Sequence, residues 1–126
     1  LKHKIIISAI DLFLIDKIRA LRITSNPSVS EKTLSIGIGH ADNFIEEIES
    51  LTTGKLYTAR ELNLIANYFD IKISDIFPEE AIKDDLLELE IEIIKISHTN
   101  IQTDKYGNVL KNYRILSGRI FKYMKQ

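Results

Sequence analysis

The stretch Ser30-Glu31-Lys32-Thr33-Leu34-Ser35-Ile36-Gly37-Ile38-Gly39-His40-Ala41-Asp42-Asn43-Phe44-Ile45-Glu46-Glu47-Ile48-Glu49-Ser50-Leu51 holds two short apolar rows on either side of a glycine. Ser30 is a good N-cap for a helix running through Ile38, with Leu34 and Ile38 on its buried side. Gly39 ends that helix, because a tight turn there needs a positive φ. A further helix is expected from about residue 41 to 50, burying Phe44 or Ile45, then Ile48 and Leu51. Ser35 is small enough to let the second helix pass close to the first. Gly37, inside the first helix, costs roughly 1 kcal/mol of helix stability relative to alanine.

On the N-terminal side, Ile10, Leu14, Ile18 and Leu21 recur at helical spacing from about Ser8 to Thr24, until Ser25-Asn26-Pro27-Ser28 breaks the pattern. On the C-terminal side, Thr52-Thr53-Gly54 makes the next break. Thr58 and Glu61 have the spacing of a reciprocal capping box, opening a helix whose face is Leu62, Ile65, Ala66 and Phe69. Ser74-Asp75-Ile76-Phe77 reads as one more turn closed by Pro78.

After Pro78 the period changes to two. Leu87-Glu88-Leu89-Glu90-Ile91-Glu92-Ile93 alternates apolar and acidic residues, as a half-buried strand does. A bulge is expected at Ile93-Ile94, a turn at Asp104–Asn108, and a return strand supported by Val109, Tyr113 and Ile115. Residues 86–121 thus read as a two-stranded hairpin. A helix over 84–97 competes with that reading, because Glu and Leu are good helix formers. The expected class is mainly α, five helices with a C-terminal β-hairpin appendage, divided as 1–83 and 84–126.

Composition narrows the classes. The 126 residues are 44% hydrophobic and 28% charged, which is globular usage, and there is no cysteine to form disulfides or thiolate metal sites. No apolar run approaches the roughly 18–20 residues that span a bilayer, and nothing near Leu1 reads as a signal peptide. The cytoplasm is the expected compartment, with no membrane partner. His3, His40 and His98 lack ligand spacing, so no metal site is expected. No phosphate-cradling glycine loop and no nucleophile motif occurs, so neither an enzyme nor a cofactor is expected.

Seven positions (Glu31, Leu34, Ser35, Ile38, Gly39, Ile45, Ile48) fit a helix-turn-helix spacing together. With Ile10-Asp11, Ile18-Arg19-Ala20-Leu21-Arg22, Gly39–Ile45, Ile48-Glu49-Ser50, Lys55-Leu56-Tyr57, Leu62–Ala66 and Asp75–Glu79, residues 8–82 resemble the xenobiotic-response-element (Cro/CI-like) family. The nearest likeness is its compact Bacteroidetes type. That resemblance implies a five-helix repressor-like domain that binds double-stranded DNA, usually as a homodimer, with its third helix in the major groove. It implies base contacts from Asp42, Asn43 and Glu47, and approach to phosphate by Glu31 at the start of the second helix, with Lys32 and Glu46 counted among the DNA-binding residues. Lys55 and Tyr57 are implied to touch backbone, and Arg22 and Glu49 to form a structural ion pair. The family's residue at the position of Glu31 is commonly glutamine, a neutral donor.

Charge placement keeps a second function open. The net charge is −1, and the third helix has Asp42, Glu46, Glu47 and Glu49 but no Lys or Arg. Such a surface also suits a protein-interaction module, antitoxin-like or anti-repressor, that has lost DNA binding and docks a basic partner. Lys17, Arg19 and Lys32 flank the motif. The tail carries Lys105, Lys111, Arg114, Arg119, Lys122 and Lys125, either as a phosphate-binding arm or as a strand face balancing Glu88, Glu90 and Glu92. The apolar face of the hairpin is expected to pack on the helices or on a second subunit, the second favoured, as a dimerisation element.

Overall fold

Seven residues ahead of the first helix already form a strand. In the computed structural model, which describes residues 1–94 and 102–125, β1 (Lys2–Ser8) turns His3, Ile5 and Ile7 inward and Lys2, Lys4 and Ile6 outward. It pairs antiparallel with β2 (Asp84–Ile93), placing Ile7 beside Leu87, Ile5 beside Leu89 and Lys4 beside Glu90. The other edge of β2 takes β3 (Tyr113–Lys122), so the sheet order is β1-β2-β3. The physical reason is the alternating run in β2. Its apolar row has to be covered, and a two-stranded hairpin is only marginally stable; the Ile5-Ile6-Ile7 strand supplies a third row.

This corrects the expected class. Four α-helices and a three-stranded antiparallel sheet, 36% helix and 25% strand, replace a mainly-α five-helix domain with a two-stranded appendage. The expected fifth helix is a single 3-10 turn, Ile73–Asp75. Residues 84–93 are strand, not helix. The register breaks at Glu90/Ile91 and Asp84/Leu87, so the bulge falls short of the expected Ile93-Ile94. One sheet joins the segments 1–83 and 84–126. His98 and residues 95–101 of the expected hairpin lie outside the described residues.

The helices follow their sequence signals. Helix α1 (Ala9–Thr24) is capped by Ser8, whose hydroxyl accepts from the Asp11 N–H, and it packs across β1 and β2. Helices α2 (Glu31–Gly37) and α3 (Phe44–Glu49) flank the Gly39 turn, where φ is +82°. Helix α4 (Ala59–Phe69) opens with the Thr58/Glu61 capping box. Leu34, Ile38, Ile45 and Ile48 are all buried, together with Leu14, Ile15 and Ile18 of α1, Ile65 of α4 and Ile91 of β2. Gly37 is explained by its neighbour: a Cβ there would lie 2.5 Å from Cε2 of Tyr68, whose ring rests on the helix. Among the described residues, no helix is long and apolar enough to cross a membrane.

Candidate functional site

The pairing of α2 with α3 begins at Ser35, which is fully buried. Its hydroxyl donates to the Glu31 carbonyl at 2.8 Å and accepts from the Ile45 N–H at 3.0 Å. A small residue was needed for close approach, and this one also satisfies an orphan amide at the start of α3. Helix α3 is shorter than expected, because residues 41–43 belong to the turn. His40 stacks on Phe44 with ring centroids 3.8 Å apart, which leaves Ile45 as the buried member of the Phe44/Ile45 choice.

The C-terminal end of α3 is held by charge. Arg22 Nε donates to Glu49 Oε2 at 2.9 Å and a terminal nitrogen to Oε1 at 2.6 Å, a bidentate pair out of water. The other terminal nitrogen bonds the Val29 carbonyl at 2.9 Å. Burial opposes the Arg22 charge, but the Glu49 carboxylate outweighs it and holds the guanidinium above its ordinary range. Arg19 joins as a third member, 3.6 Å from Glu49, and donates to the Leu110 carbonyl at 2.6 Å. Asn112 reaches the Glu49 carbonyl at 2.9 Å. Glu49 is thus the joint between the helices and the segment leading into β3.

Two consequences concern the expected phosphate contacts. Arg19 is buried and committed to Glu49 and Leu110, so it does not flank the motif as an available cation. Tyr57 is buried as well, with its hydroxyl lacking a protein partner, and burial pushes that phenol well above its usual range. A backbone contact from Tyr57 is therefore corrected to a core position. Its sequence neighbours carry the reason: Lys55 and Leu56 are exposed, and the chain turns inward at 57 to reach the α4 cap.

The remaining candidates divide into two groups and two lone residues. Glu47 accepts from Asn43 Nδ2 at 2.8 Å and forms an ion pair with Lys55, so these three make one exposed chain. Thr53, not singled out in the sequence, fixes the same corner by donating to the Glu47 carbonyl at 2.8 Å. Glu31 and Glu46 line a cleft of about 430 Å³ whose walls also include Arg22, Glu49 and Asn112. Glu31 is partly buried there; desolvation, helped by the Glu49 carboxylate, pushes its carboxyl up to about 7. Lys32 and Asp42 stand exposed outside both groups.

The basic residues of β3 form a strand face rather than a free arm. Arg114 pairs with Glu92, Arg119 with Glu88 at 2.6 Å, and Lys122 with Asp84 at 3.0 Å, all across the β2–β3 ladder. Lys111 lies 3.3 Å from Asp16, whose other partner is the Tyr113 hydroxyl, donating at 2.8 Å. Among the described residues, no group of three or more metal-ligating side chains converges. The chain matches no protein-family model, no curated protein and no solved structure.

Proposed function

We propose that the chain is a sequence-specific DNA-binding transcriptional regulator that presents α3 to the major groove of a duplex, working as a homodimer. The observation that carries this reading is the locked α2–turn–α3 unit. Its apolar row is buried on one side, while Asp42, Asn43 and Glu46 are exposed on the other. Asn43 suits adenine, whose major-groove edge offers one donor and one acceptor, and the carboxylates can accept from cytosine N4. Binding releases Asn43 and Lys55 from Glu47, freeing Lys55 for phosphate. Glu31, whose carboxyl sits near neutrality, repels phosphate less than an ordinary glutamate and donates when protonated.

The supply of phosphate-neutralising charge is small. With Arg19, Arg22 and the β3 cations engaged and Lys17 lining a separate cleft with Gly107 and Val109, Lys32 and Lys55 remain beside the motif, about two phosphates per chain, so the expected salt dependence is shallow.

A second reading has its own observation. The surface around α3 gathers Glu31, Asp42, Glu46 and Glu47 against Lys32 and an ion-paired Lys55, which favours a basic protein partner docking on the same scaffold.

Fluorescence anisotropy of the full chain against labelled random duplexes and its own upstream region, across a salt series, separates the two. Binding to one fragment with a log–log salt slope of roughly −2 per chain supports the regulator. No binding at low salt overturns it and turns the search to basic proteins.

A further inference from the structure

The two edges of the sheet are built differently. At β1 the outward side chains are Lys2, Lys4 and Ile6, and neither lysine has an ion-pair partner among the described residues. Solvated lysines are a common guard against edge-to-edge pairing. At β3 the basic side chains are exposed but ion-paired rather than unpartnered. Its Arg114, Arg119 and Lys122 lean inward onto carboxylates of β2, it contains no proline, and it is ten residues long.

The apolar side chains of β3 are also left bare. Ile115 and Ile120 lie opposite Ile91 and Leu87, on the inward face, yet are 50% and 58% exposed, because α1 packs across β1 and β2 and meets β3 at its first residue, Tyr113. Leu116 and Phe121 extend the exposed apolar surface along the same strand, and Tyr123 and Met124 continue it just past the strand's end. A stable dimer buries roughly 800 Å² on each partner. Six large apolar side chains and a backbone edge unpaired among the described residues supply an area of that order.

We propose that the free edge of β3 is the homodimer interface, pairing antiparallel with β3 of a second copy to form a continuous six-stranded sheet. The bulge between Glu90 and Ile91 leaves Leu116 as the extra residue in β3, so the regular ladder available to a partner covers residues 117–123. A two-fold axis at Ile120 is the register that fits. It sets Ile120 against its own copy on the apolar face and Arg119 across from Phe121 of the partner. Within one chain Arg119 already lies over Phe121, 5.8 Å from the ring centroid. An axis one residue earlier would oppose two copies of Arg119, which like charges disfavour. The proposal holds whether α3 meets DNA or protein, since neither is part of the interface.

The test is sedimentation equilibrium of the full chain without DNA, beside the variant Ile120→Lys and the control Ile6→Lys on the outer face of β1. The expected result is twice the chain mass of 14.5 kDa for wild type and Ile6→Lys. Ile120→Lys should weaken association at least tenfold while keeping the native circular dichroism spectrum. Amide hydrogen exchange of wild type at two concentrations gives a readout free of mutation: protection of residues 117–123 should rise with concentration. A monomeric wild type, an Ile120→Lys dimer of unchanged affinity, or concentration-dependent protection elsewhere than β3 would overturn the proposal.

Discussion

At the helical end Arg22 meets Glu49 out of water; on the outer face of the sheet Arg119 meets Glu88 in it. Both contacts are 2.6 Å. The side chains are 7% and 2% exposed in the first pair, and 75% and 35% in the second. What distinguishes them is the cost of leaving one partner alone. A buried carboxylate without its guanidinium has no water to turn to, whereas an exposed one is rehydrated at once. The inner pair therefore holds α3 to α1, and the outer ladder adds weak ion pairs across a register that the apolar rows set.

The largest expected effect breaks the inner pair. Arg22→Ala leaves Glu49 with only Arg19 at 3.6 Å and should destabilise by about 3–5 kcal/mol in urea denaturation. Arg22→Lys should recover part of that and not all, since an ammonium cannot make the bidentate contact. Equal stability of wild type and Arg22→Ala would show that the pair does not organise the helical end.

Next is Gly37, where packing overrides helix propensity. Gly37→Ala should cost about 1 kcal/mol, because the Tyr68 ring has to move. In a Tyr68→Ala background the same change should stabilise by about 1 kcal/mol, the ordinary alanine preference. A thermal-denaturation cycle in which the sign does not invert would remove Tyr68 as the reason for the glycine.

Glu31 sits at the mouth of the inner network, facing Arg19 and Arg22 from α1 and Glu46 and Glu49 from α3. Its folded value of about 7 lies above the ordinary 4.5, so the folded chain holds a proton that the unfolded chain has lost between those two pH values. Stability from this group is greatest below about 4.5 and is lost as pH rises through about 7. Glu31→Gln should thus be neutral in acid and stabilising by about 1 kcal/mol at pH 8, after discounting for partial exposure. If the regulator reading holds, the same variant should bind duplex more tightly at pH 8 than wild type and equally at low pH. A flat difference across pH would deny the carboxyl its raised value.

The smallest effect belongs to the outer ladder. A double-mutant cycle of Arg119→Ala and Glu88→Gln should give a coupling of about 0.2–1 kcal/mol, falling with added salt. A coupling as large as that of Arg22 and Glu49 would erase the contrast between the two regions.

Much of the helical part was legible from local chemistry. The Ser30 cap, the Gly39 turn, the Thr58/Glu61 box and the apolar row Leu34, Ile38, Ile45, Ile48 are set by residues within four positions of one another or by helical period. Of the candidate site, Asn43 and Glu46 are exposed, and Glu49 meets Arg22 across 27 residues. Tyr57 was not legible, because exposure of an aromatic after a loop depends on where the chain turns next. Nor was the chain linking Asn43, Glu47 and Lys55, which needs the 52–54 turn to bring the lysine back.

The sequence by itself determined four of the five expected helices and the acidic character of α3, and it favoured a strand for the alternating run, because caps, glycine turns and periodicity act over a few residues. Only the tertiary structure decided that the Ile5-Ile6-Ile7 run is a strand, that Arg19 is sequestered, and that the basic residues of β3 face carboxylates. Each of those depends on pairing between segments distant in the chain. β1 pairs with β2 across about 80 residues, and Arg19 bonds the Leu110 carbonyl across 91. Local signals carry no record of which partner a strand or a charge will find, because that choice is made by burying the whole apolar surface at once.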